Sequence, residues 1–103
     1  MHTVVLKRGC PGDEKDIARR IHRILQTLKE DFYKKVEMMR EFPVFPWLDH
    51  YIDEIVEMMG EDPWVHGIKE NARVLNKFLD YSYSQGLIQK RPALEDLFID
   101  LDG

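Results

Sequence analysis

The chain reads as a mainly α protein, with one N-terminal strand followed by three to four helices. Three observations predict this. A β-branched run, Thr3-Val4-Val5-Leu6, stands alone near the N-terminus, with no second convincing strand after it. From Ile17 to Met39 the apolar residues recur at a helical period. Between residues 46 and 98, two further helical patterns each end at a glycine and are separated by proline- and tryptophan-bearing turns. All 103 residues are expected to make one single, partial domain, with a strand over 2–8 and helices over about 13–41, 46–59, 68–85 and 92–99.

The strand 2–8 is closed by the turn Gly9-Cys10-Pro11-Gly12. Unpaired, its N–H and C=O groups lack ladder partners. It therefore needs another chain, or a missing part of its own protein, and Val4 and Leu6 become candidate interface residues. Asp13 is placed to cap the first helix. Ile17, Ile21, Ile24, Leu28, Phe32 and Met39 form its apolar stripe, with Leu25 and Val36 at the edge and His22, Arg23, Lys29 and Glu30 off it.

Phe42-Pro43-Val44-Phe45-Pro46 ends that helix, because a residue before proline is pushed out of the α region. Pro46 suits the first turn of the next helix, whose buried face is expected to be Leu48, Tyr51, Ile52, Ile55 and Met59, with Gly60 as the stop. Asp62-Pro63-Trp64 turns the chain. The third helix carries Ile68, Ala72, Leu75, Leu79 and Ser82 on one face, with Gly86 just past its end. Val74, Phe78 and Tyr81 form a second apolar stripe on it, so this helix is expected to be covered on both sides. Left in water, those three groups forfeit about 5–8 kcal/mol at roughly 1.5–3 kcal/mol each, comparable to a small domain's net stability. They are the remaining interface candidates. After Pro92 a short helix carries Leu94, Leu97 and Phe98, and the tail 100–103 is expected to fray.

Composition narrows the function. Hydrophobic residues make 44% and charged residues 33%, the balance of a folded globular chain. A net charge of -4 argues against nucleic acid or an acidic membrane surface as partner. No apolar run reaches membrane-spanning length and no signal peptide is visible. Cys10, the lone cysteine, sits in a turn with no committed base and reads as an incidental thiol.

His50, Asp53 and Glu57 share a helix face at ligand-like spacing, but it is the polar face opposite Leu48 and Ile52, so no metal is expected. No cofactor signature is present either: the chain lacks HExxH, CxxC, P-loop and GxGxxG patterns. Ser82 and Ser84 have no His-Asp pair at useful spacing. His2 precedes the strand, where ligands gather in open α/β sheets. It reads first as a terminal histidine, and second as a candidate general acid.

Several motifs occur in register: MHTVVLKR, FPWL, the helix ending Met59-Gly60, DPW followed by Gly67, Asn71 and Leu75, and YSYSQGLIQKRPALEDLF. In order and spacing they resemble the C-terminal portion of a periplasmic-binding-protein-like family. That family includes 4,5-dihydroxyphthalate decarboxylase and the substrate-binding proteins of nitrate/taurine-type transporters. Two departures stand out. Trp64-Val65-His66-Gly67 replaces Trp-Pro-Tyr-Gly, and Ala72 stands where an arginine is frequent. Arg73 lies about 100° around the helix from that position and makes no equivalent contact.

The resemblance implies a parent with a two-lobed α/β (type II) fold and a ligand cleft between lobes. This chain would be its C-terminal scaffold, inactive by itself. A decarboxylase parent needs a general acid and cations to hold a dianion. His2 and Thr3 would lie near the cleft, with Lys7 and Arg8 as anion contacts and His2 as the candidate acid. The partner would be the missing N-terminal lobe or a second copy of the chain, and the ligand a small aromatic or anionic molecule. A decarboxylase-like parent implies the cytoplasm. A solute-binding receptor, the alternative, implies the periplasm or the outside of the cell. A third reading is a stand-alone helical module that dimerises through Val74, Phe78, Tyr81 and the strand edge.

Overall fold

The computed structural model describes residues 2–41 and 45–102. It is mainly helical, with α1 at Glu14–Glu41, α2 at Leu48–Met59, α3 at Ile68–Ser84 and a single turn, α4, at Leu94–Leu97. The described residues divide into two compact units. Residues 1–23 with 66–103 form one, and residues 24–65 the other, so the division falls within α1 and after Val65.

In the first unit, α1 begins where Asp13 accepts the N–H groups of Lys15 at 2.8 Å and Asp16 at 3.4 Å, satisfying donors that the helix start leaves orphaned. Asp16 lies in that first turn, where a carboxylate complements the helix dipole, and pairs with Arg20 one turn on. The core of this unit is small. Leu75, Leu79 and Leu94 are its buried apolar side chains, with Ile68, Ala72, Ile88 and Phe98 packed around them. The face of α3 read from its period is thus the face that α4 and the 88–98 segment cover. Ser82, also buried, donates to the Phe78 carbonyl at 2.9 Å.

α3 stops at Gly86, whose φ of 73° is open to glycine at no steric penalty. Gly86 N–H donates to Tyr83 O at 3.1 Å and Leu87 N–H to Ser82 O at 2.9 Å, the paired bonds of a Schellman close. Arg91 then fastens the following loop to α3, donating to Asp80 at 2.7 Å and to the Asn76 side chain at 2.9 Å.

Two expectations are corrected in this unit. The strand over 2–8 is not formed among the described residues. Val4 and Val5 are exposed and Leu6 is half-buried, since a lone extended segment has nothing to complete its ladder. The tail, expected to fray, is tied through residue 102. Arg19 Nε donates to Leu101 O at 3.1 Å, and Lys69 pairs with Asp102 at 2.9 Å.

In the second unit, α2 starts after Trp47, held in the left-handed region at φ 78°, an uncommon place for a bulky residue. Phe42, Pro43 and Val44, read as part of the helix break, lie outside the described residues. Gly60 closes α2, its N–H on Val56 O at 2.9 Å. Of the apolar face expected on α2, Leu48 and Ile52 are half-buried, whereas Tyr51, Ile55 and Met59 are exposed. The stripe on α1 behaves likewise: Ile17 and Ile21 are half-buried, but Ile24, Leu28, Phe32 and Met39 face solvent. A helical period identifies which residues share a face, and a cover must be present for that face to be buried.

Candidate functional site

Two side-chain groups stand out, one per unit. In the second unit, Lys29 is the buried charge, with its side chain only 8% exposed. Its ammonium reaches both oxygens of Asp62, at 2.8 and 3.0 Å, and donates to the Trp64 carbonyl at 3.2 Å. Tyr33, one turn along α1, donates its hydroxyl to Asp62 Oδ1 at 2.6 Å and accepts the Trp64 N–H at 3.3 Å. The rings of Tyr33 and Trp64 stack at 6.0 Å, and Phe32 meets Trp64 edge-on at 5.8 Å. Partial burial, followed by donation to the Asp62 carboxylate, holds the Tyr33 phenol above its ordinary pKa, against the opposing pull of the Trp64 N–H.

Chemically, this cluster is an anchor. Every donor of the ammonium has an acceptor within reach, and Asp62 accepts from both Lys29 and Tyr33. It staples the Asp62-Pro63-Trp64 turn to α1. Sequence reasoning placed Lys29 off the apolar stripe of α1 and gave it no part. The available signal was the i, i+4 pair Lys29 and Tyr33, which shares one helix face.

A second ionic clasp in the same unit has Arg40 donating from Nε to Asp49 and from Nη2 to Asp53, each at 2.8 Å, with Glu37 at 3.6 Å. These bonds, Asp53 first, raise the guanidinium above its already high pKa. Asp53 is therefore committed to Arg40. Among the described residues no group of three or more His, Cys, Asp or Glu is arranged to hold a metal.

The other group lies in the first unit, on α3. Val74, Phe78 and Tyr81 are 53%, 64% and 54% exposed and line a shallow depression with Arg73 and Lys77. The Lys77 ammonium sits 5.0 Å from the Tyr81 ring centroid, a cation–π contact. The nearby carboxylate Asp80 is engaged by Arg91. This surface is apolar at its centre and cationic along one flank, suited to binding. Sequence reasoning found its apolar residues and noted Arg73, but gave Lys77 no part.

The sequence-predicted ligand residues are placed plainly. His2, Thr3, Lys7 and Arg8 are all exposed on the N-terminal segment. The Lys7 carbonyl accepts the Cys10 N–H at 3.3 Å in the turn that follows, and Gly9 N–H reaches Glu14 at 3.0 Å. His22 and His66, not singled out as a pair from the sequence, meet edge-on with ring centroids 6.0 Å apart. No helix among the described residues is long and apolar enough to cross a membrane.

No protein-family model matches the chain, and no solved structure does. Over 53 residues, 52% of its length, the chain is 32% identical to the 4,5-dihydroxyphthalate decarboxylase of Comamonas testosteroni. The similar stretch spans 16% of that protein's length, so the likeness is to a small part of a much longer chain.

Proposed function

We propose that this chain is a C-terminal scaffold segment of a 4,5-dihydroxyphthalate decarboxylase-like protein. The observation that carries the reading is the 53-residue similarity to such an enzyme. The way the chain leaves its surfaces supports it. Residues 2–8 have strand composition without a strand partner, and α3 and α2 expose large apolar side chains that a larger protein would cover. On this reading the chain is one partial domain of a two-lobed, periplasmic-binding-protein-like parent, and residues 2–8 join a sheet in the missing lobe.

The parent's chemistry is non-oxidative. The ring carbon bearing one carboxylate takes a proton, the carbon–carboxylate bond breaks, and carbon dioxide leaves, with the hydroxyl para to that carbon assisting. His2, ahead of the strand, is the candidate proton donor, and Lys7 and Arg8 are candidate contacts for the remaining carboxylate. Thr3 lies beside them in sequence. None of these residues acts without the opposite lobe, so the 103-residue chain is inactive alone.

The test is carbon dioxide release from 4,5-dihydroxyphthalate. The intact parent encoded by the extended reading frame releases it, and the 103-residue chain does not. Release by the short chain overturns the scaffold reading. Tight ligand binding by the parent without release replaces the enzyme with a solute-binding receptor.

A further inference from the structure

Three aromatic rings of the second unit meet around Trp64. Tyr33 stacks beside it at 6.0 Å and 26°, and Phe32 stands nearly upright to it at 5.8 Å and 71°. Phe32 and Tyr33 are themselves 6.3 Å apart. Two ring planes so close to perpendicular make a corner, and both of its walls meet water: Trp64 is 57% and Phe32 49% exposed. The corner is also held in place. Tyr33 and Lys29 bind the Trp64 N–H and carbonyl, which fixes the backbone that carries the indole to α1. Charge around the rings is negative. Lys29 is buried and neutralised by Asp62, the exposed Glu61 precedes Asp62 in the same turn, and the unit has four Lys and Arg against ten Asp and Glu.

We infer that the corner between Phe32 and Trp64 binds a methylated organic ammonium group. A ring face carries the negative part of the aromatic quadrupole and attracts a cation within about 6 Å of its centroid. With centroids 5.8 Å apart, one ammonium group can lie within that reach of both rings. The surplus of carboxylates selects a cation over an anion or a neutral apolar molecule. Hydration selects the methylated form, because an unmethylated ammonium is strongly hydrated and gives up its water at greater cost. This goes beyond the decarboxylase-like reading, whose dianionic substrate has the opposite charge. It also involves neither residues 2–8 nor the exposed faces of α2 and α3.

The test titrates the 103-residue chain with choline and follows the Phe32 and Trp64 ring protons by nuclear magnetic resonance. Saturable shifts at both rings are expected, with a dissociation constant on the order of millimolar, as suits a few exposed cation–π contacts. The neutral molecule 3,3-dimethyl-1-butanol has carbon in place of the choline nitrogen. It is expected to bind about 5- to 30-fold more weakly, since charge over two rings is lost. Phe32→Leu and Trp64→Leu each weaken choline binding about two- to fivefold, whereas Trp47→Phe leaves it unchanged. Trp64→Leu keeps the backbone groups that Lys29 and Tyr33 hold, and helical circular dichroism checks the folding of each variant. A peptide carrying trimethyllysine, titrated in parallel, identifies the source. Binding no tighter than that of choline assigns the site to a free small molecule, tighter binding assigns it to a modified chain, and either upholds the site. No saturable shift, equal binding of the neutral alcohol, or choline binding indifferent to both Phe32→Leu and Trp64→Leu overturns the inference. The comparison of choline with the alcohol uses wild type alone, so it decides the matter even where a variant fails to fold. Carbon dioxide release by the parent is untouched by any of these outcomes, so the two proposals fail separately.

Discussion

Removing Asp62 is expected to destabilise the second unit more than removing Lys29, although the two form one ion pair. The asymmetry follows from exposure. The Lys29 side chain is 8% exposed, while that of Asp62 is 43% exposed. In Asp62→Ala the ammonium stays buried with only the Trp64 carbonyl at 3.2 Å, and the Tyr33 hydroxyl loses its 2.6 Å acceptor. Orphaning one partner of a buried pair costs about 3–5 kcal/mol. The lower end applies here, because one acceptor remains and water reaches the site from the Asp62 side. In Lys29→Met the aliphatic stem is kept and the orphaned carboxylate is half in water, still holding Tyr33, so the loss is about 1 kcal/mol. In a domain of this size about 1 kcal/mol moves the melting temperature by roughly 4–8 °C. The expected drops are therefore roughly 12–24 °C for Asp62→Ala and about 4–8 °C for Lys29→Met. Urea and thermal unfolding followed by Trp64 fluorescence measure both, and the double variant completes the cycle. Equal losses, or a larger loss in Lys29→Met, would refute the claim that Lys29 is the buried partner.

Two further outcomes follow from the fold. Leu79→Ala removes a side chain 7% exposed in the core of the first unit and is expected to cost about 2–5 kcal/mol in denaturant unfolding. Phe78→Ser, one position earlier but 64% exposed, changes stability by no more than about 0.5 kcal/mol. In alkali, stability falls. The Tyr33 phenol is held above its usual value of 10.0, and Lys69, hydrogen-bonded by Asp102, above 10.5. Both folded pKa values are raised, so their stabilisation is whole below about pH 10 and is lost as pH rises through the raised values. Tyrosine absorbance and melting temperature, titrated together in wild type and Tyr33→Phe, check this. A Tyr33 that ionises below its ordinary value of 10.0 contradicts it.

What the sequence made legible was whatever depends on neighbours along the chain. The inner face of α3 follows from the spacing of Leu75, Leu79 and Ser82, and its end follows from Gly86. Asp13 announces the start of α1 in the same local way. Lys29 was not legible, because its burial rests on a carboxylate 33 residues away that no local period encodes. The strand over residues 2–8 was over-read for the converse reason: its residue types favour extension, but a ladder needs a partner that the described residues do not supply. The same limit applied to the stripe on α1 and the apolar face of α2. For the candidate ligand residues Thr3, Lys7 and Arg8 the expectation came from resemblance, and for His2 also from its place ahead of the expected strand; all four are exposed.

The account depends on this chain presenting apolar surface that its own residues do not cover. Sedimentation equilibrium over a range of protein concentrations, run with a fluorescent apolar dye, addresses that directly. The expected result is dye bound by the chain at its own 12.3 kDa mass, or a mass above 12.3 kDa in which self-association covers the apolar surface and dye binding falls. A mass fixed at 12.3 kDa throughout, with no dye bound, would contradict it.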